Sequence, residues 1–132
     1  GPFVFAVLDS RQGALFIARD RIGLKPMFYA HLKPGSPDEA LLFASEVKSF
    51  LADAAFERRV DILALNHYLT YQYVPHPLSI FSAAAKLPPG HWLTYKDGKV
   101  ETERYWQLQY EPKRLISEEE AVEEALEQAD GI

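Results

Sequence analysis

The feature that most constrains this fold is a charged turn between two apolar runs, within residues 15–29. The runs Leu15–Ala18 and Met27–Ala30 are short and rich in aromatic and branched side chains, which is typical of buried strands. Between them, Gly23 can adopt a positive φ, and Pro26 fixes its own φ and donates no N–H. The pattern therefore predicts a strand, a turn and a second strand.

Two uses of this turn are open from the residues alone. One is a solvated tip with no chemistry. The other is a turn in which Asp20 is held by Arg19 or Arg21 and presented to a partner surface, because three cations and one carboxylate lie within residues 19–25. Composition does not choose between them.

Composition excludes several classes of protein. In 132 residues, 48% are hydrophobic and 25% charged, as in a soluble protein with a folded core. The net charge of −5 and the scattered basic residues argue against a nucleic-acid partner. Without cysteine there is no disulfide, thiolate zinc site or cysteine nucleophile in these residues. No apolar run is long enough to span a bilayer, so we expect a cytoplasmic protein with no membrane partner.

Apolar periodicity predicts a β-rich α+β fold of antiparallel hairpins. Asp97-Gly98 between two β-prone runs is the clearest hairpin signal. The first strand should be buried on both faces, because its apolar run is continuous. Strands are predicted at residues 3–8, 14–18, 27–31, 40–44, 91–95 and 100–107, with both tryptophans in the last hairpin.

Three helices are predicted from their N-terminal signals. Ser45 is available to cap a short helix that contains Val47, and Asp61 to cap a helix that ends near Tyr71. Ser117 and Glu120 form a capping box for a third helix. We place a domain boundary before that helix, dividing the chain into residues 1–110 and 111–132, with residues 111–114 as the joint. Both ends of the chain are expected to be cuts through a longer protein.

No catalytic constellation is complete in the chain. The four histidines lack the spacing of metal ligands, and no phosphate-binding glycine loop is present. The acidic residues from Glu118 onward are typical of a solvated helix face. Ser45-Glu46 places a hydroxyl and a carboxylate at a strand-to-helix corner, which we interpret as a cap with a favourable dipole contact.

Six ordered motifs nevertheless resemble one family, the glutamine-hydrolysing asparagine synthetases and their close amidotransferase relatives. The resemblance covers essentially the whole chain. The motifs are Gly1–Ala6, Ala18–Pro26, Phe43–Lys48, Tyr73–Pro77 with Ile80-Phe81, Lys86–His91 and Tyr105-Trp106.

The resemblance implies a class II glutamine amidotransferase domain of the N-terminal-nucleophile type, a four-layer αββα sandwich. In that family an N-terminal cysteine attacks the side-chain amide of glutamine, and ammonia passes to an ATP-pyrophosphatase-like synthetase domain where it meets an aspartyl-adenylate. Residues 1–110 match the C-terminal half of the glutaminase domain. Residues from Ser117 onward resemble the first helix of the α/β synthetase domain.

The family's chemical residues have no counterpart here. The nucleophilic cysteine is missing, the glutamine-binding motifs would lie upstream of Gly1, and the nucleotide-binding loop would lie beyond Ile132. No catalytic, substrate-binding or metal residue is therefore assigned. The resemblance assigns a role in packing and at the inter-domain joint to the turn and the corner: Arg19, Asp20, Gly23, Lys25, Pro26, Ser45 and Glu46.

For the parent protein, the resemblance implies ATP and Mg²⁺ in the synthetase domain, with glutamine, aspartate and ATP as substrates; a homodimer is one assembly it allows. Two alternatives stay open, a related amidotransferase that acts on another acceptor, such as a sugar or lipid, and a non-catalytic interaction domain. We expect the chain alone to aggregate and to release no ammonia from glutamine, because uncovered sheet faces and edges associate.

Overall fold

The computed structural model describes residues 1–111 and 116–130, which form the predicted α+β fold. A 3₁₀ helix spans Val47–Ala52, and the α-helices are α1 (Ile62–Tyr71) and α2 (Glu118–Asp130). The strands are β1 (Val4–Asp9), β2 (Ala14–Arg19), β3 (Phe28–Leu32), β4 (Ala40–Ala44), β5 (Ala85–Lys86), β6 (His91–Lys96) and β7 (Lys99–Arg104).

The strands form two antiparallel sheets. One has the order β1-β2-β6-β7 and the other β4-β3-β5. Lys96 pairs with Lys99, so the predicted hairpin at Asp97-Gly98 is confirmed. The short strand β5, which pairs with the start of β3 through Phe28↔Lys86, was not predicted.

The hydrophobic core lies on both faces of the three-stranded sheet. Between the sheets, Ile17, Leu87 and Leu93 are fully buried, and Tyr29 and Leu41 of the three-stranded sheet pack against that cluster. A second cluster lies on the opposite face of the three-stranded sheet, toward the 3₁₀ helix: Ala30, Leu32, Phe50, Phe56 and Ala84. One cluster therefore packs the two sheets together, and the other packs the three-stranded sheet against the 3₁₀ helix.

The outer face of the four-stranded sheet is apolar and exposed. Phe5 is 45% exposed and Val7 53%. Ring centroids are 6.1 Å apart between Phe5 and Phe16 and 6.0 Å between Phe16 and Trp92, so an aromatic row crosses the sheet. The prediction that the first strand is buried on both faces is wrong for the described residues, since residues 5–8 of β1 are all exposed.

Local capping signals are confirmed at two helices and wrong at the third. Asp61 accepts a hydrogen bond from the N–H of Ala64 at 2.9 Å. Ser117 and Glu120 cap each other's backbone N–H groups, at 2.9 and 3.2 Å. Ser45 does not cap, because the 3₁₀ helix begins only at Val47 and its N-cap position shows no side-chain hydrogen bond.

Two further boundaries differ from the prediction. Strand β7 ends at Arg104, so Trp106 lies outside the hairpin. Strand β3 begins at Phe28, after Met27. The predicted joint at residues 111–114 lies mostly outside the described residues, and the division at residue 110 stays a prediction. No helix within residues 1–111 and 116–130 has the length and apolar character to cross a membrane.

A polar cluster lies at the end of the two sheets away from the charged turn. Glu39 Oε1 lies 2.6 Å from His31 Nε2 and accepts a hydrogen bond from the Tyr95 hydroxyl at 3.2 Å. Its other oxygen accepts from the N–H of Gly35 at 2.8 Å. The hydrogen bonds from His31 and Gly35 outweigh burial and lower the pKa of Glu39. The cluster links β3 to β6 across the two sheets.

Stability at this end should fall in acid. Because the folded-state pKa of Glu39 lies below its unfolded value, its bonds stabilise the fold above about pH 4.3 and are lost as the pH falls through the folded pKa. In unfolding measurements between pH 3 and 6, Glu39→Gln should therefore be less stable than the native sequence near pH 6, and the difference should shrink toward pH 3. A difference independent of pH would contradict this assignment.

Candidate functional site

The charged turn is built around the carboxylate of Asp20, a buried residue that is only 3% exposed. Its Oδ1 accepts the backbone N–H groups of Ile22 at 3.1 Å, Gly23 at 2.6 Å and Leu24 at 3.1 Å. Its Oδ2 accepts the N–H of Lys25 at 3.1 Å. Burial opposes ionisation, but these four donors outweigh it and lower the pKa of Asp20. The carboxylate is a fixed structural anion.

Arg19 holds the same turn from the other side. Its Nε donates to the carbonyl of Lys25 at 2.7 Å, and Nη2 donates to that of Gly23 at 2.7 Å. Its Nη1 donates to the carbonyl of Leu87 at 2.6 Å, across 68 positions of sequence. Burial lowers the pKa of Arg19, and neighbouring Asp20 acts in the opposite direction. Arg19 thus fastens the turn to the segment that follows β5.

The residues alone leave open whether Arg19 or Arg21 holds Asp20. The carboxylate accepts hydrogen bonds from backbone N–H groups, which reach both of its oxygens, and the neighbouring Arg19 interacts with it electrostatically. The Arg21 guanidinium carbon instead lies 5.9 Å from the ring centroid of Trp106. The physical reason is that a tight turn presents consecutive N–H groups to one carboxylate more closely than a long side chain can.

Hydrogen bonds tie the turn to three other segments. The N–H of Asp20 donates to the carbonyl of Phe3 at 2.9 Å, and the carbonyl of Asp20 accepts from Gly90 at 2.9 Å. The Tyr105 hydroxyl donates to the carbonyl of Arg19 at 2.6 Å. Residues before β1, after β5 and after β7 therefore meet at this turn.

Two glycines permit this close approach. Gly23 has φ +76°, and a Cβ added there would lie 2.7 Å from Pro89 Cγ. Gly90 has φ +63°, and a Cβ there would lie 2.6 Å from the carbonyl oxygen of Trp106. Both positions combine a left-handed backbone with a neighbour that leaves no room for a side chain.

The tip of the turn is apolar and points outward. Ile22 is 73% exposed and Leu24 is 65% exposed. Beside them lies a cleft of about 420 Å³ lined in part by Phe3, Asp20 and Arg21. A carboxylate that accepts four N–H groups has little capacity left for proton transfer. The arrangement fits a rigid platform that carries two exposed apolar side chains.

The structure joins most of the predicted turn residues and leaves the corner separate. Hydrogen bonds connect Arg19, Asp20, Gly23 and Lys25. Pro26 is exposed and follows them directly.

The Ser45-Glu46 corner lies at the same end of the three-stranded sheet as the charged turn, because Phe28, which follows the turn, pairs with Ala44. Glu46 makes its ion pair with Lys48 at 2.6 Å.

Sequence reasoning missed the partners of the turn. Leu87, Gly90 and Tyr105 complete it, yet they lie 60 or more positions away in the chain. The run Pro88-Pro89-Gly90 does contain a usable signal, a glycine placed for positive φ after two prolines.

The resemblance implies ATP and Mg²⁺ in the synthetase domain of the parent protein, and none in this chain. Within residues 1–111 and 116–130, no group of three or more His, Cys, Asp or Glu side chains could hold a metal ion. Asp20, the most buried carboxylate of the turn, is already occupied by backbone donors.

Comparison with known proteins assigns the chain to a domain family. Residues 1–106 match the family model for the glutamine amidotransferase domain. The chain belongs to the glutamine amidotransferase domain family.

Several similar proteins are 30–38% identical to this chain over most of its length. It is 38% identical over 112 residues to asparagine synthetase [glutamine-hydrolyzing] 3 of Bacillus subtilis, which covers 84% of this chain and 17% of that protein. It is 30% identical over 127 residues to a putative asparagine synthetase [glutamine-hydrolyzing] 2 of Methanocaldococcus jannaschii, covering 89% and 24%. It is 32% identical over 127 residues to the amidase chry2 of Gibberella zeae, covering 93% and 18%. The chain thus spans a quarter or less of each of these relatives.

Proposed function

We propose that this chain is the scaffold portion of an ATP-dependent, glutamine-hydrolysing asparagine synthetase. In that reaction, ammonia released from glutamine is transferred to an activated aspartate. The observation that carries the proposal is the match of residues 1–106 to the glutamine amidotransferase domain, together with 38% identity to a Bacillus asparagine synthetase. The reacting groups belong to the parent protein beyond these residues.

The exposed aromatic row supports the finer proposal of an αββα sandwich. The two sheets already share a core, and the three-stranded sheet is covered on its far side by the 3₁₀ helix. The row from Phe5 to Trp92 lies on the opposite, uncovered face. A further helical layer from the parent would bury that face and complete the four layers.

Isotope transfer in the full-length parent tests the function. With aspartate, ATP and Mg²⁺, glutamine labelled with ¹⁵N in its amide should give asparagine labelled in its amide. Formation of labelled ammonia without labelled asparagine would contradict the proposal that aspartate is the acceptor. Absence of glutamine hydrolysis in a folded parent would contradict the whole proposal.

A second candidate is an amidotransferase with another acceptor. The 32% identity to the amidase chry2 over 127 residues favours keeping it, since that protein does not carry the synthetase name. The same isotope assay separates the two, because label would then require an acceptor other than aspartate.

The chain alone should release no ammonia from glutamine. It contains no cysteine, and the proposed nucleophile is an N-terminal cysteine of the parent. The measurement compares ammonia release from this chain with that from buffer and from the parent. Release above the buffer level would show that a glutaminase nucleophile lies within residues 1–132.

The proposed role of the turn and the Ser45-Glu46 corner is to pack the neighbouring synthetase domain. The exposed Ile22 and Leu24 on a hydrogen-bonded base support this role. The first helix of that domain is proposed at α2, whose side chains Val122 and Leu126 are 53% and 62% exposed. ATP and Mg²⁺ in the parent, a homodimer and a cytoplasmic location stay predictions.

A further inference from the structure

An apolar groove of about 380 Å³ lies between helix α1 and the start of β3. Two tyrosines on its wall remain more than half exposed, Tyr68 at 52% and Tyr73 at 61%. Burying apolar surface stabilises a contact by about 25 cal/mol per Å². The groove is lined mainly by apolar side chains with one ammonium group: Phe28, Val47, Tyr68, Tyr73, Ile80 and Lys86.

The outward side of α1 is also apolar. Ile62 is 73% exposed, Leu63 55% and Leu69 74%. On its inner side Ala64 is fully buried. A helix that is hydrophobic on both sides is typical of one covered on both sides. Both the groove and the outer side of α1 are therefore apolar and exposed.

One basic side chain, that of Lys86, lines the groove. Lys86 Nζ donates to the carbonyl oxygen of Val74 and lies 5.9 Å from the ring centroid of Phe28. Burial and then the charge of Arg19 lower the pKa of Lys86. Because Lys86 places an amine among apolar side chains, a carboxylate that entered the groove would be attracted to its charged form.

The groove adjoins the charged turn. Lys86, on its wall, is followed by Leu87, whose carbonyl accepts from Arg19 at 2.6 Å. The N–H of Leu87 donates to the carbonyl of Met27 at 2.9 Å, at the end of the turn segment. A partner that covers the exposed tip of the turn can therefore continue into the groove.

We propose that this groove takes a segment of the parent chain outside residues 1–132 that presents an apolar side chain beside a carboxylate. The groove thereby extends the docking face of the turn. This inference rests on the proposed function, in which the chain is part of a longer synthetase. The Bacillus relative is long enough to contain such a segment, since this chain spans only 17% of it.

Hydroxyl-radical footprinting of the full-length parent tests whether the groove is covered. In this chain Tyr68 and Tyr73 are 52% and 61% exposed. If the groove is covered in the parent, both tyrosines should be oxidised much more slowly, relative to the unfolded protein, than these exposures predict. Oxidation at the rate of half-exposed tyrosines would overturn the proposal.

Carbodiimide cross-linking of mixed unlabelled and ¹⁵N-labelled parent identifies the occupant. The expected product is an amide between Lys86 Nζ and a carboxylate outside residues 1–132 of the same molecule. Lys99, exposed on β7, is the control and should not give that product. A link between labelled and unlabelled copies, or protection of the tyrosines without any link at Lys86, would overturn the proposal. The isotope-transfer assay tests the proposed function independently of these two measurements. An uncovered groove in a parent that makes labelled asparagine would overturn only the groove proposal.

Discussion

Replacing Asp20 with alanine is expected to destabilise the domain by about 3 kcal/mol or more. The N–H groups of Ile22, Leu24 and Lys25 lose their acceptor, whereas that of Gly23 keeps the carbonyl of Asp20 at 3.2 Å. Each such loss costs about 1–3 kcal/mol. The matched control is Asp38→Ala. Asp38 pairs with Lys33 at 3.2 Å, but its side chain is 76% exposed, so its loss should cost at most about 1 kcal/mol.

Hydrogen exchange in the full-length parent measures this effect where it arises. The amides of residues 22–25 should exchange at least about a hundredfold faster in Asp20→Ala, since every 1.4 kcal/mol is roughly tenfold. Those amides should be unchanged in Asp38→Ala. Equal exchange in the native protein and Asp20→Ala would show that the carboxylate does not hold the turn.

Replacing Gly90 with alanine is expected to have the second large effect. The new Cβ would lie 2.6 Å from the backbone oxygen of Trp106, a contact that requires the backbone to shift, and the φ of +63° adds about 1–2 kcal/mol. Together these should exceed about 3 kcal/mol, in the range of core overpacking with strain.

Gly13→Ala separates strain from close approach. Gly13 has a similar φ of +61°, but nothing lies within 4 Å of its added Cβ. It should therefore show only the strain, about 1–2 kcal/mol. Thermal unfolding of the two variants in the parent should place Gly90→Ala well below Gly13→Ala. Equal midpoints would mean that the segment after β7 moves aside freely.

The sequence predicts well those features whose partners are close in the chain. The Asp61 cap, the box of Ser117 and Glu120 and the hairpin at Asp97-Gly98 each depend on residues within four positions. Such contacts are decided by backbone geometry before the fold forms. Ser45 fails as a cap for the same local reason, because the following turn is 3₁₀ and begins two residues later.

The sequence does not predict features whose partners are distant. Strand β5 has only two residues and exists because Phe28 and Tyr29 pair with it. The Arg19 contact with Leu87 spans 68 positions. An apolar run at β1 shows that the strand is hydrophobic but not what covers each face, which is why Phe5 was wrongly expected to be buried.

The candidate site follows the same division. The residue types of the turn were found, because a charged segment with Gly23 and Pro26 between apolar runs is a local pattern. The partners of Asp20 stay open at the level of the sequence, since a sequence does not show which donors a turn will present. The docking role stays a prediction for the parent protein.

The central claim is that the turn joins domains without taking part in glutamine hydrolysis. The most direct measurement is the ratio of asparagine formed to glutamine hydrolysed in the full-length parent carrying Ile22→Asp and Leu24→Asp, with Gln12→Asp as control at the opposite end of β2. We predict glutamine hydrolysis close to native, a large loss of glutamine-dependent asparagine synthesis, and a native ratio in the control. Loss of hydrolysis in step with synthesis, or no change in the ratio, would contradict the account.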